Sequence, residues 1–119
     1  MAADSVNEVH LVGRLSAEPE SRALPSGDEL TIWRLVVDRV GAPARPAGGR
    51  TPTVDTIDCV AHKPSVRRLT TRWVPGELLE VHGALRRRFW RAPHGPASRY
   101  EVEVTAVKKI GARGATAAP

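Results

Sequence analysis

Between His62 and Gly76 the chain reads "HKPSVRRLTTRWVPG", and here alone the pattern is helical rather than β. Val66, Leu69 and Trp73 recur at i, i+3 and i+7, one apolar stripe of a helix. Pro64 suits a first helical turn, and Pro75-Gly76 supplies the stop. The apolar segments on either side follow the two-residue period of strands. The architecture therefore turns on where this one short helix falls among the strands.

Three strands precede it. Residues 6–16, "VNEVHLVGRLS", are β-branched and apolar, with Gly13 marking a bulge or a close backbone approach. "EPESRALPSGDE" reads as a loop closed by a turn, because Pro19, Pro25 and Ser26-Gly27 punctuate it. Residues 30–38, "LTIWRLVVD", put Trp33, Leu35 and Val37 on one face and Leu30, Ile32 and Arg34 on the other. "GAPARPAGGRTPT", residues 41–53, is too rich in Pro and Gly for a central strand and reads as a flexible loop. Residues 54–62, "VDTIDCVAH", alternate again: Ile57, Cys59 and Ala61 face one way, Thr56, Asp58, Val60 and His62 the other.

Two strands follow the helix. Residues 77–91 carry Leu79, Val81, Leu85 and Phe89 on one face and Glu80, His82, Arg86, Arg88 and Trp90 on the other, with Gly83 permitting a bend. "APHGPAS" reads as a turn, and residues 99–107, "RYEVEVTAV", as the last strand. Three strands, a helix and two strands make an all-β chain whose best match is a five-stranded OB-fold barrel, one short helix lying between strands three and four. The domain is expected over residues 1–110, with a short disordered tail over 111–119.

Bulk properties narrow the function. The chain has 119 residues and a formal charge of +5, enough for one domain with a small core. No apolar run approaches the ~20 residues that cross a bilayer. The first residues lack the basic flank and apolar run of a secretory signal, so no membrane association and a cytoplasmic location are expected. The single cysteine, Cys59, excludes an intrachain disulfide and reads as a buried small apolar group. His10, His62, His82 and His94 show no metal-ligand spacing, so neither a metal nor a cofactor is expected. No phosphate-cradle motif or nucleophile triad occurs, and the chain does not read as an enzyme.

Charge and aromatics converge on "LRRRFWRAPHG", residues 85–95. The chain has five Phe, Tyr and Trp residues in all, yet Phe89 and Trp90 stand together among Arg86, Arg87, Arg88 and Arg91. Residues 62–91 hold eight Lys and Arg against two acids. A concentrated basic stripe with interleaved aromatics is the footprint of a nucleic-acid binder. On strand alternation Trp90 faces outward with Arg86 and Arg88, while Phe89 turns to the Leu85 side and faces packing. Trp33 and Trp73 read as core residues.

With these residues placed, the chain resembles the bacterial single-stranded DNA-binding protein family. "VNEVHLVGRL", "EPESRALPSG", "LRRRFW" and "SRYEVEV" fall in that family's order and approximate spacing over about residues 6–110. The resemblance implies a homo-oligomer, a tetramer rather than a dimer, that coats single-stranded DNA in replication, recombination and repair. It implies that Trp90 stacks on bases. Arg22 falls at a basic family position, and Arg72 replaces a family aromatic near the DNA path. Gly41, Thr56 and His62 stand where the family usually has stacking aromatics, and only His62 keeps a flat ring. Ile57 stands where a tetramer-supporting histidine is usual. The candidate binding set is Trp90, Arg86, Arg88, Arg22, Arg34, Arg72, His62, Lys63 and Arg91, with Arg45 and Arg50 able to wrap a strand from their loop. No acid follows Glu103, so recruitment of repair proteins through an acidic tail is not expected. RNA is the alternative polymer, which these residues do not distinguish from DNA. The alternative function is a protein-interaction or assembly module on the same fold.

Overall fold

The computed structural model describes residues 4–41, 53–112 and 114. In chain order they form β1 (Val9–Leu15), β2 (Glu20–Ala23), β3 (Glu29–Asp38), β4 (Val54–Ala61), α1 (Pro64–Thr70), β5 (Leu78–Ala92) and β6 (Gly95–Gly111). The sheet order is β1-β5-β6-β4-β3-β2, and an added β1–β3 pairing closes it. The barrel proper is therefore the five strands β1, β3, β4, β5 and β6, with β2 an arm folded back on β3.

Closure rests on two short contacts. Arg14 and Leu15 of β1 pair with Val36 and Leu35 of β3, and Cys59 and Val60 of β4 pair in parallel with Val102 and Glu103 of β6. Gly13 stands where β1 crosses onto β3. A Cβ there would lie 2.5 Å from the Val36 carbonyl oxygen, so of the two sequence readings the close approach is correct. Gly83 plays the same part on β5, where a Cβ would lie 2.1 Å from the Glu103 carbonyl oxygen. The β5–β6 register shifts beside it, between His82 and Gly83, where Thr105 is the extra residue of β6.

The inward faces follow the alternation. Leu15, Trp33, Leu35, Cys59, Ala61, Leu79, Val81, Val102 and Val104 form one buried cluster. Burial pushes the Cys59 thiol up to about 12, so it packs as an apolar group. The helix packs against β3, β4 and β6 and adds Val66, while the turn after it adds Trp73. Trp73 meets Trp33 edge to face with ring centroids 5.1 Å apart. Glu77, also buried, accepts the Val74 amide proton at 2.6 Å and the Lys109 ammonium at 3.0 Å, holding that turn against β6.

Four sequence expectations change. Glu20–Ala23 is a strand, paired with Glu29–Ile32, rather than loop. All four residues are exposed, so no alternation marks them. Leu69, assigned to the core stripe of the helix, is 41% exposed, and Thr70 is buried in its stead. The "APHGPAS" turn shrinks to Pro93 and His94, because Ala92 already pairs with Gly95. Gly95 turns there with φ 122°, a conformation glycine adopts without steric cost. Phe89, expected to face packing, is 69% exposed, because β5 and β6 run beyond the barrel and, among the described residues, no strand covers that face. The 42–52 part of the expected loop, including Arg45 and Arg50, lies outside the described residues, as do residue 113 and residues 115–119 of the expected tail.

Candidate nucleic-acid interface

The outer face of β3 and β4 is the floor of a cleft of about 720 Å³. Ile32 and Arg34 come from β3, Asp58 and Val60 from β4. Pairing Arg34 with Asp58 and Ile32 with Val60 puts each pair on the same outward side. The β2–β3 arm forms one wall with Glu20, Arg22 and Leu24. The protruding β5–β6 ribbon forms the other with Arg88, Arg99 and Glu101, and His62 lies at the end of β4.

The ribbon has two unlike faces. Arg86, Arg88 and Trp90 pair with Glu101, Arg99 and Ala97, so all six side chains share the cleft side. The Arg88 and Arg99 guanidiniums lie 5.1 and 6.0 Å from the Trp90 ring centroid. Trp90 is 40% exposed, against 4% for Trp33 and 9% for Trp73, so it alone of the three tryptophans has an accessible face. The opposite side carries Arg87 over both Phe89 and Tyr100, at 5.1 and 5.3 Å.

Of the expected binding residues, the structure gathers Arg22, Arg34, His62 and Arg88 in the cleft, with Trp90 continuing its ribbon wall. Arg86 points the same way but is paired with Glu103 at 2.9 Å. Lys63 precedes the helix and Arg91 stands at the ribbon tip. Arg72 lies apart, beside Leu69, Trp73, Val107, Lys108 and Lys109. Arg99 was not among the expected residues, although its place opposite Arg88 and beside Trp90 depends only on hairpin register.

Sequence charge also overstates the cleft. Four arginines line it, and so do four carboxylates, Glu18, Glu20, Asp58 and Glu101. Asp58 ties the floor to the ribbon wall, lying 3.1 Å from Arg34 and 3.7 Å from Arg99. Arg22 lies 3.4 Å from Glu20 and Arg88 3.8 Å from Glu101. The cationic surplus thus sits around the cleft, on the ribbon and the helix side, rather than on its floor.

A small closed barrel with a cleft over strands β3 and β4, flanked by a hairpin arm and a hairpin ribbon, is an OB-fold of the oligonucleotide-binding type. The Single-strand binding protein family matches residues 6–110, and the chain belongs to that family. It is 34% identical over 100 residues to the Single-stranded DNA-binding protein of Thermotoga maritima, covering 84% of this chain and 69% of that one. It is 33% identical over 90 residues to Single-stranded DNA-binding protein 1 of Staphylococcus aureus, covering 76% of this chain. Against that relative it spans 52% of the length. Among solved structures it is similar to the Plasmodium falciparum SSB complex with ssDNA, with a TM-score of 0.74 and 21% identity, over 92% of this chain and 99% of that one. That likeness concerns the fold.

Proposed function

We propose that the chain binds single-stranded DNA with little sequence preference, as a non-enzymatic member of its family. The observation that carries this reading is Trp90: a half-exposed indole with the Arg88 and Arg99 guanidiniums beside its ring, continuing the ribbon wall of the cleft. A base stacked on such a ring contributes ~1–3 kcal/mol whatever its identity, while arginines follow the phosphates. Arg22, Arg34, Arg88 and Arg99 take that second role from the cleft, and Arg86, Arg91, Lys63 and Arg72 add potential from outside it. In this reading one binding domain spans residues 1–110, and the protein serves replication, recombination and repair in a bacterial cytoplasm. Among the described residues no helix is long and apolar enough to cross a membrane.

The other ribbon face supports the oligomeric part of the proposal. Leu85, Phe89 and Tyr100 are exposed together there, with Arg87 over the two rings. Aromatic and Arg side chains are enriched at protein contacts. A homo-oligomer, a tetramer in the family manner, would use such a face.

Titrating the protein with oligo-dT while following tryptophan emission tests the binding. Trp33 and Trp73 are buried, so quenching reports Trp90. Saturable quenching at low salt, repeated with oligo-dA and weak with duplex DNA, is expected. A folded protein whose emission and anisotropy ignore oligo-dT at low salt overturns the proposal. Oligo-rU in parallel decides between DNA and RNA, and light scattering gives the assembly.

A further inference from the structure

Away from the cleft, β1 and β5 bring together three side chains that the single-strand reading leaves unused. His10 and His82 stand directly opposite each other in the antiparallel ladder, so both project from one face. Their rings stack with centroids 4.3 Å apart and planes 8° from parallel. Glu80 precedes His82 by two residues, on the same side of the strand, and its Oε2 lies 2.8 Å from His10 Nε2. One potential ligand atom from each of the three lies within 4.8 Å of the other two.

We propose that His10, Glu80 and His82 form a binding site for a divalent transition metal ion of the zinc, nickel or copper class. Two imidazole nitrogens and one carboxylate oxygen suit these borderline ions, whereas magnesium and calcium prefer oxygen-only sets. The ligands come from two hydrogen-bonded strands rather than from a loop, so their backbones are held in fixed register. Lys108, paired with Glu80 across β6, opposes a bound cation by its charge. Three protein ligands leave a coordination position for water or an outside donor. The ion would clip β1 to β5 at the strand that closes the barrel, and so raise thermal stability.

The sequence showed no ligand spacing because the pair is made by register: His10 and His82 are 72 positions apart in the chain.

The test uses the whole chain, freed of metal by a chelator and titrated with Zn²⁺, and with Ni²⁺ in parallel. Imidazole NMR signals of His10 and His82 should shift or broaden saturably, those of His62 and His94 should not, and the melting temperature should rise. His10→Asn and His82→Asn should each weaken binding by more than about tenfold, the lower end of what even outer-shell changes cost. Glu80→Gln should weaken it in the same sense, and Lys108→Ala should strengthen it. Unmoved His10 and His82 signals at saturating Zn²⁺, or binding unchanged in His82→Asn, would overturn the site. The NMR readout on the unaltered protein decides the matter even if a variant folds poorly.

Discussion

Replacing Asp58 by Asn should strengthen DNA binding. The carboxylate lies on the cleft floor, held between Arg34 at 3.1 Å and Arg99 at 3.7 Å. A phosphate entering the cleft must compete with it for both guanidiniums. Each such partly exposed pair contributes ~0.2–1 kcal/mol, so removing the competitor releases up to ~2 kcal/mol toward the polymer. The affinity gain is then about 2- to 30-fold at low salt. A second signature accompanies it. Each phosphate neutralised on a single strand adds ~0.7 to the slope of log K against log salt, so two freed arginines steepen the slope by up to ~1.4. Oligo-dT affinity, measured by Trp90 quenching from about 50 to 200 mM salt, reads both quantities. If Asp58→Asn binds more weakly with an unaltered slope, the carboxylate positions the arginines instead of competing for them. The cleft floor would then not be the phosphate track.

Three further outcomes are expected. Trp90→Ala removes a stacking platform and no charge, so dT affinity should fall about 5- to 150-fold while the salt slope stays parallel to that of the parent. In Gly83→Ala the new methyl meets the Glu103 carbonyl oxygen at 2.1 Å, so the β5–β6 ladder must part; a loss of ~3 kcal/mol or more should lower the calorimetric melting temperature by about 10 °C or more. Glu77 has its pKa lowered, first by the Val74 amide and then by Lys109, so its stabilisation is present above the ordinary glutamate value and fades as pH falls through the depressed one. Glu77→Gln should therefore melt lower at neutral pH and lose less stability on acidification, as followed by circular dichroism.

The barrel was legible because its strands bury one side each. Trp33, Leu35, Ile57, Cys59 and Ala61 alternate in the chain as they do in space, and Pro64 with Pro75-Gly76 bracket the helix. Glu20–Ala23 was not legible, since a strand exposed on both faces carries no alternation and owes its form to Glu29–Ile32 alongside. Phe89 shows another limit. Alternation assigned its face correctly, but whether that face is covered depends on how far β5 and β6 outrun their neighbours. The cleft was half legible. Arg22, Arg34, Arg88 and His62 declared themselves by charge or ring, whereas the approach of Asp58 to Arg34 and Arg99 is set by three-strand register. The same register, invisible in one dimension, joins His10 to His82.

The overhanging ribbon carries an aggregation hazard along with its arginines. Past Leu85, whose backbone amide and carbonyl are met by the Asn7 side chain at 2.8 Å each, β5 has no neighbour but β6 among the described residues. A two-stranded sheet with bare margins is a template onto which another copy could zip. Arg86, Arg87, Arg88, Arg91 and Arg99 line that overhang, and like charge on both partners repels such pairing. These guanidiniums would then also act as gatekeepers, keeping uncoated copies from adding strand to strand.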